Sequence, residues 1–277
     1  MKIIEQKIQG IDGSSATLTG YVINNSDEID PERTRPAVLI LPGGGFAIVS
    51  DRESEPIALQ FASAGFQAFV LKYSIVPSSH PTQLLEVAQA MKLIRDNADA
   101  WHVNPNAVAI LGFSAGGQVA ANIATTASDS VEEEHGYNAD SVRPNALMLA
   151  YPVITAGEWG HKPSFARLIG DVSEKRHEEL VEELSMEKHV DAKTPPVFVW
   201  QTVTDQVVSV KNSIMFIDAC VSAGVSVEAH LFPNGPHGLA LASKETAKPG
   251  TEANFVQTNV QKWVPLACDW LHRIFEK

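Results

Sequence analysis

Polar and apolar residues are arranged in two distinct ways along this chain. Up to Arg35 there are two strand-like pieces, Lys2–Ile8 and Ala16–Ile23, separated by a glycine turn and followed by the polar stretch Asn24–Arg35. This opening predicts an antiparallel pair. From Pro36 onward short apolar runs take over: Ala37–Leu41, Phe66–Leu71, Ala107–Leu111, Ala146–Tyr151, Pro196–Gln201 and Val225–Phe232. Most lack strict alternation, the pattern of strands buried on both faces of a parallel sheet. Helical spacings lie between them. Leu84, Val87, Ala88, Met91 and Ile94 repeat at three- and four-residue steps, one face of a helix. Ala115–Thr126 is rich in small residues, and Val210–Ala223 ends at Gly224, a helix stop. Val260, Trp263, Val264, Ala267, Trp270, Leu271 and Ile274 form a last helical stripe, with Pro265 inside it predicting a kink or a restart. The alternation predicts an α/β fold, a mostly parallel sheet of about eight strands with helices on both faces.

One interval breaks the alternation. Between Pro152 and Pro196 lie about 43 residues with no strand signal. Connections of that length are usually lids or caps, so 153–195 is expected to be a cap-like insertion in a single domain spanning 1–277.

Composition narrows the function classes. The 277 residues carry a net charge of −12, which argues against nucleic acid and against anionic membrane surfaces as partners. The longest apolar run, Ala146–Tyr151, is far too short to span a bilayer, and the first seven residues hold no apolar signal core. Cys220 and Cys268 are the only cysteines; both lie in helical patterns and read as small packed residues. A soluble protein of a reducing cytoplasm is the expectation. Pairing of copies is an open expectation, with the last helix or the 153–195 interval as its place.

Two glycine-rich segments carry candidate chemistry. Gly112-Phe113-Ser114-Ala115-Gly116 follows a buried strand and precedes small helix formers. A strand, a sharp turn and a helix would hold Ser114 in a strained backbone at a helix N-terminus, with small neighbours two residues either side. Leu41-Pro42-Gly43-Gly44-Gly45-Phe46 follows the strand Ala37–Leu41. Its bare backbone, with the N–H groups of Gly44 and Gly45 joined by that of Ala115, is a candidate oxyanion hole. Neither glycine pattern of nucleotide-binding loops occurs, so a nucleotide-dependent oxidoreductase is the weakest reading.

With these motifs in order, the chain resembles the α/β-hydrolase superfamily, and within it the hormone-sensitive-lipase-like carboxylesterases and bacterial acetyl-xylan-esterase-type hydrolases. Pro42–Phe46 stands where that family has His-Gly-Gly-Gly. Lys72-Tyr73-Ser74-Ile75-Val76-Pro77, with His80-Pro81, is similar to its Asp-Tyr-Arg-Leu-Ala-Pro-Glu-His-Pro segment, and Gly112–Gly117 matches Gly-x-Ser-Ala-Gly-Gly. Two features depart from the pattern. Pro42 replaces the histidine that braces the oxyanion loop, and only 35 residues precede Pro36, fewer than the larger members' N-terminal cap is expected to need. The resemblance implies a triad in the chain order Ser, acid, His. The base is then His135, His161, His177, His189, His230, His237 or His272. His237, in the turn-rich loop after Val225–Phe232, lies at a strand's C-terminal edge and is preferred. Asp205 follows the strand Val197–Trp200 and is preferred over Asp171 and Asp191, which read as surface charge.

The resemblance implies a serine carboxylesterase acting on small short-acyl esters, acetyl above all, and on acetylated sugars, with no metal or cofactor. Peptide or lactone cleavage on the same fold and a non-catalytic binding module stand as alternatives. Phe46, Tyr73 and Trp159 are the candidate substrate contacts. Tyr73 is equally suited to support the oxyanion loop or the core. Trp159, with His161, is suited to meet a sugar alcohol, or simply to pack the insertion onto the body. Residues 128–191 hold fourteen acidic and six basic residues. If that segment rims the site, neutral esters are favoured over anionic ones.

Overall fold

In the computed structural model, which describes residues 1–276, β1 (Lys2–Gln9) and β2 (Ser15–Val22) form the antiparallel hairpin, with Lys2 opposite Val22 and Gln9 opposite Ser15. Strand β2 joins this hairpin to the main sheet by pairing antiparallel with β4 (Gln67–Lys72). Strands β3 (Arg35–Leu41), β4, β5 (Val103–Phe113), β6 (Ala146–Ala150), β7 (Val197–Thr202) and β8 (Val227–Phe232) are mutually parallel. The order across the eight-stranded sheet is β1-β2-β4-β3-β5-β6-β7-β8.

The helices, in chain order, are α1 (Glu55–Ser63), α2 (Thr82–Asp96), α3 (Ala115–Ala124), α4 (Asp129–Glu134), α5 (Ala139–Val142), α6 (Lys162–Ile169), α7 (Glu174–Glu183), α8 (Lys211–Ala223), α9 (Glu252–Phe255) and α10 (Trp263–Phe275). Alternate residues of the central strands feed two apolar layers. Leu39, Ile110, Leu147 and Val199 pack on the side of α2, α3 and α8. Ile40, Leu111, Met148 and Trp200 pack on the side of α1 and α10. Because both sides are covered, the strands read as continuous apolar runs rather than as alternating ones.

The 153–195 interval contains no strand. It folds as α6 and α7, whose Phe165, Leu168, Ile169 and Leu180 join the layer shared by α2 and α3. At the other end of the chain Pro265 marks a restart. A 3₁₀ turn over Val260–Lys262 hands over to α10, where Pro265 occupies the first turn and breaks no helical hydrogen bond. Cys220 and Cys268 are free and buried, and burial pushes both thiols up to about 12, which makes them packing groups rather than nucleophiles.

One buried carboxyl gives the fold a pH dependence. Glu132 on α4 is 1% exposed, and its Oε1 has no hydrogen-bond partner. Burial pushes its carboxyl from 4.5 up to about 7, against the opposing pull of Ser128 and Arg143. The folded value lies above the unfolded one, so stability from the protonated group is present below about pH 4.5 and is lost as pH rises through 7. Glu132→Gln, which cannot ionise, is therefore expected to gain stability relative to wild type between pH 5 and pH 8, by about 2 kcal/mol. Thermal unfolding of both proteins at the two pH values checks this; an offset that does not change with pH contradicts it.

Candidate active site

Ser114 sits at the junction of β5 and α3 with φ 51° and ψ −116°, a conformation that a residue with a side chain adopts only under constraint. The constraint is visible on both sides. The Ser114 N–H donates to Ala150 O at 3.0 Å, and its carbonyl accepts from Gly117 and Val153 at 3.0 and 2.9 Å. The flanking glycines are required by close approach: a Cβ on Gly112 would lie 2.4 Å from Gly116 O, and one on Gly116 would lie 2.2 Å from Leu41 O.

The structure brings Ser114, His237 and Asp205 together. Ser114 Oγ lies 2.8 Å from His237 Nε2, and His237 Nδ1 lies 2.7 Å from Asp205 Oδ2. The carboxylate accepts at Nδ1, so that nitrogen carries the proton and Nε2 is left to accept from the serine hydroxyl. Asp205 is held in turn. Its Oδ1 accepts from the N–H groups of Val207 and Val208 at 2.9 and 3.0 Å, and its Oδ2 accepts from Gln201 Nε2 at 3.3 Å. Ser213 fixes Gln201 by donating to its Oε1 at 2.6 Å. The Asp205 side chain is wholly buried, while His237 keeps 14% exposure at the pocket.

The glycine loop lies beside this relay. Among the described residues, the N–H groups of Gly44, Gly45 and Ala115 donate to no protein acceptor. The loop's backbone is braced by side chains from three directions. Gly43 N–H donates to Glu53 Oε2 at 2.7 Å, Tyr73 Oη donates to Pro42 O at 2.6 Å, and Arg167 Nη1 donates to Gly45 O at 3.1 Å. Pro42, which stands in place of the family's bracing histidine, takes part through its carbonyl, the anchor point for Tyr73.

Glu53 and Tyr151 were not foreseen, and they tie the two halves of the site together. Tyr151 Oη donates to Glu53 Oε1 at 2.8 Å and accepts from Ala240 N–H at 3.0 Å, just beyond His237. The Tyr151 ring also meets the His237 ring edge-on, with centroids 5.0 Å apart. A single buried carboxylate thus connects the glycine loop to the histidine loop. Burial beside Glu53 raises the Tyr151 hydroxyl well above its usual range, so it stays a neutral donor.

The cavity in front of Ser114 measures about 840 Å³. The three expected substrate contacts do not line it. Phe46 is fully buried and packs against Tyr73 with ring centroids 6.1 Å apart. Tyr73 is buried with its hydroxyl spent on Pro42, so its part is support of the loop, not contact with a ligand. Trp159 is 44% exposed and away from the cavity, with Lys211 Nζ 5.9 Å above its ring. The expected acidic rim is also absent. Of residues 128–191, only His161 and Arg167 line the cavity. The acids of α7 face outward instead, where Arg176 pairs with Glu179 and Glu183. His161 Nδ1 lies 2.7 Å from Ser164 Oγ; burial, then His237 and Arg167, lower its tendency to take up a proton. Among the described residues, no three His, Cys, Asp or Glu side chains are grouped to hold a metal ion.

A mostly parallel eight-stranded sheet with the serine turn after β5, the acid after β7 and the histidine after β8 is the α/β-hydrolase fold. The model of the BD-FAE family matches residues 28–219, and the chain belongs to that family. It is 37% identical over 216 residues to the endo-1,4-beta-xylanase B of Butyrivibrio fibrisolvens, a match covering 76% of this chain and 33% of the relative. It is 30% identical over 211 residues to the acetylxylan esterase of Xylanibacter ruminicola, covering 75% and 42%. The chain thus spans less than half the length of these curated relatives. Among solved structures, the acetyl ester-xyloside bifunctional hydrolase from Caldicellulosiruptor lactoaceticus superposes with a TM-score of 0.80 at 34% identity, over 94% of this chain and 89% of that one.

Glu53→Gln keeps the size of the side chain but leaves one acceptor oxygen where two hydrogen bonds converge. It is expected to lower kcat for p-nitrophenyl acetate by about ten- to a hundredfold, with KM changed much less. Steady-state kinetics beside a melting curve check this. An unchanged kcat, or a loss traced wholly to unfolding, contradicts the positioning role.

Proposed function

We propose that the protein is a serine carboxylesterase that hydrolyses small short-acyl esters, acetyl esters of sugars foremost, through Ser114, His237 and Asp205. The observation that carries this reading is the continuous relay from Ser114 Oγ through the His237 ring to the buried Asp205, beside three backbone N–H groups with no protein acceptor. His237 Nε2 takes the serine proton as Oγ attacks the ester carbonyl carbon. The N–H groups of Gly44, Gly45 and Ala115 stabilise the oxyanion that forms, each worth about 3 kcal/mol in comparable sites. The imidazolium, stabilised by Asp205, then gives its proton to the leaving alcohol, and an acyl-serine remains. Water then attacks the acyl carbon from the place the alcohol left, giving its proton to His237, which returns one to Ser114 Oγ as the acyl–oxygen bond breaks and the carboxylic acid is released.

The sugar-acetate part of the reading is supported by the names of two relatives, an acetylxylan esterase and an acetyl ester-xyloside hydrolase. The chain spans only part of the first of these, so the substrate comes to it by proposal alone.

Ser114→Ala is expected to lower kcat on p-nitrophenyl acetate by roughly 10⁶-fold. Across p-nitrophenyl esters of rising chain length, kcat/KM should be highest for acetate and fall steadily. A preference for long chains overturns the short-acyl assignment, and retained turnover in the alanine variant overturns the serine mechanism.

A further inference from the structure

We propose that the site selects esters whose alcohol part carries a carboxylate, an acetylated uronic acid rather than a neutral acetylated sugar, and that Arg167 is the residue that recognises the charge. The proposal rests on the esterase reading above and deepens it. An acetyl group occupies a small part of a cavity of about 840 Å³, so the alcohol part meets most of its wall.

That wall is cationic, although the chain as a whole carries a charge of −12. Arg52, Arg167 and Lys248 reach the cavity from three separate segments. Among the described residues, none of the three is within ion-pair distance of a carboxylate. Two carboxylates also border the cavity, so the wall carries an excess of one positive charge: Asp51 pairs with Lys72 at 2.7 Å, and Glu53 points its oxygens at Gly43 N–H and the Tyr151 hydroxyl. Arg52 is tied to the carbonyls of Thr246 and Gly238 and lies over the Phe255 ring. Arg167 is half-buried and differs from it. Only its Nη1 is used, on Gly45 O and Pro163 O, which leaves the other guanidinium donors for a ligand beside the oxyanion loop. A guanidinium fixed at one nitrogen and open at the others suits a carboxylate, which accepts two parallel hydrogen bonds. Burial, then His237 and Arg167, lower the tendency of His161 to take up a proton, so the fixed positive charge at this wall belongs to the arginines and Lys248.

The test compares acetate release from acetylated glucuronic acid and acetylated glucose, with p-nitrophenyl acetate as a reference for intact chemistry. Wild type is expected to prefer the charged substrate by about tenfold in kcat/KM at low salt, roughly 1.4 kcal/mol, and to lose the preference as salt is raised. Arg167→Gln also loses the brace on Gly45 O, so kcat should fall on all three substrates, while the charged-to-neutral ratio of kcat/KM drops to about one; Arg167→Lys should restore part of that ratio. A wild-type ratio at or below one, with p-nitrophenyl acetate still hydrolysed, overturns the proposal and leaves the esterase reading intact. If none of the three substrates is hydrolysed, the esterase reading fails and this proposal falls with it.

Discussion

A tight strand-to-helix turn at Ser114 governs the rest of the site. With φ at 51°, the residue is held by three backbone hydrogen bonds, to Ala150 of β6, to Gly117 of α3 and to Val153 just beyond β6. Such a backbone persists only where its surroundings over-determine it. Here the buried β5 and β6 and the absence of a Cβ at Gly112 and Gly116 do so. The turn aims Oγ out of the sheet's C-terminal edge and leaves the Ala115 N–H free at the start of α3. Asp205 and His237 reach the same edge because β7 and β8 run parallel to β5, so their ends are neighbours although the residues are far apart in sequence.

A second layer converts that edge into a rigid site. Buried polar groups must find partners, and each partner here restrains a loop. Glu53 takes a hydrogen bond from the glycine loop and another from Tyr151, which takes one from the histidine loop. Tyr73 and Arg167 hold the same glycine loop at Pro42 and Gly45. The N–H groups of Gly44 and Gly45 and the His237 ring are therefore set against each other by side chains outside the Ser114–His237–Asp205 relay. Arg167 belongs to both this brace and the cavity wall, which couples any charge recognised there to the position of Gly45.

The sheet was legible in the sequence because its strands are buried on both sides, and continuous apolar runs such as Val108–Leu111 and Val197–Trp200 mark them. The turn at Ser114 was legible because close backbone approach demands glycine at two fixed places. Side-chain direction was not. In the run Asp51-Arg52-Glu53-Ser54-Glu55 nothing local separates Glu53, 3% exposed, from Asp51, whose side chain is 83% exposed. Tyr151 ends an apolar run and reads as core, although its hydroxyl is the link between two loops. Phe46 and Trp159 are large apolar residues next to motifs, and only the path of the chain decides that one is buried under the loop and the other stands away from the cavity. The charge count of 128–191 was right and its direction wrong. Leu180 anchors α7 to the core, which turns the helix's acids outward, while α6 turns Arg167 inward.

The central claim is that Ser114 is the nucleophile, activated by His237 and Asp205. The most direct measurement is labelling with a fluorophosphonate, followed by mapping of the modified residue by peptide mass spectrometry. The account predicts one adduct per chain, on Ser114, formed rapidly in wild type and far more slowly when Asp205 is replaced by asparagine. No adduct, or an adduct on any other residue, would contradict it.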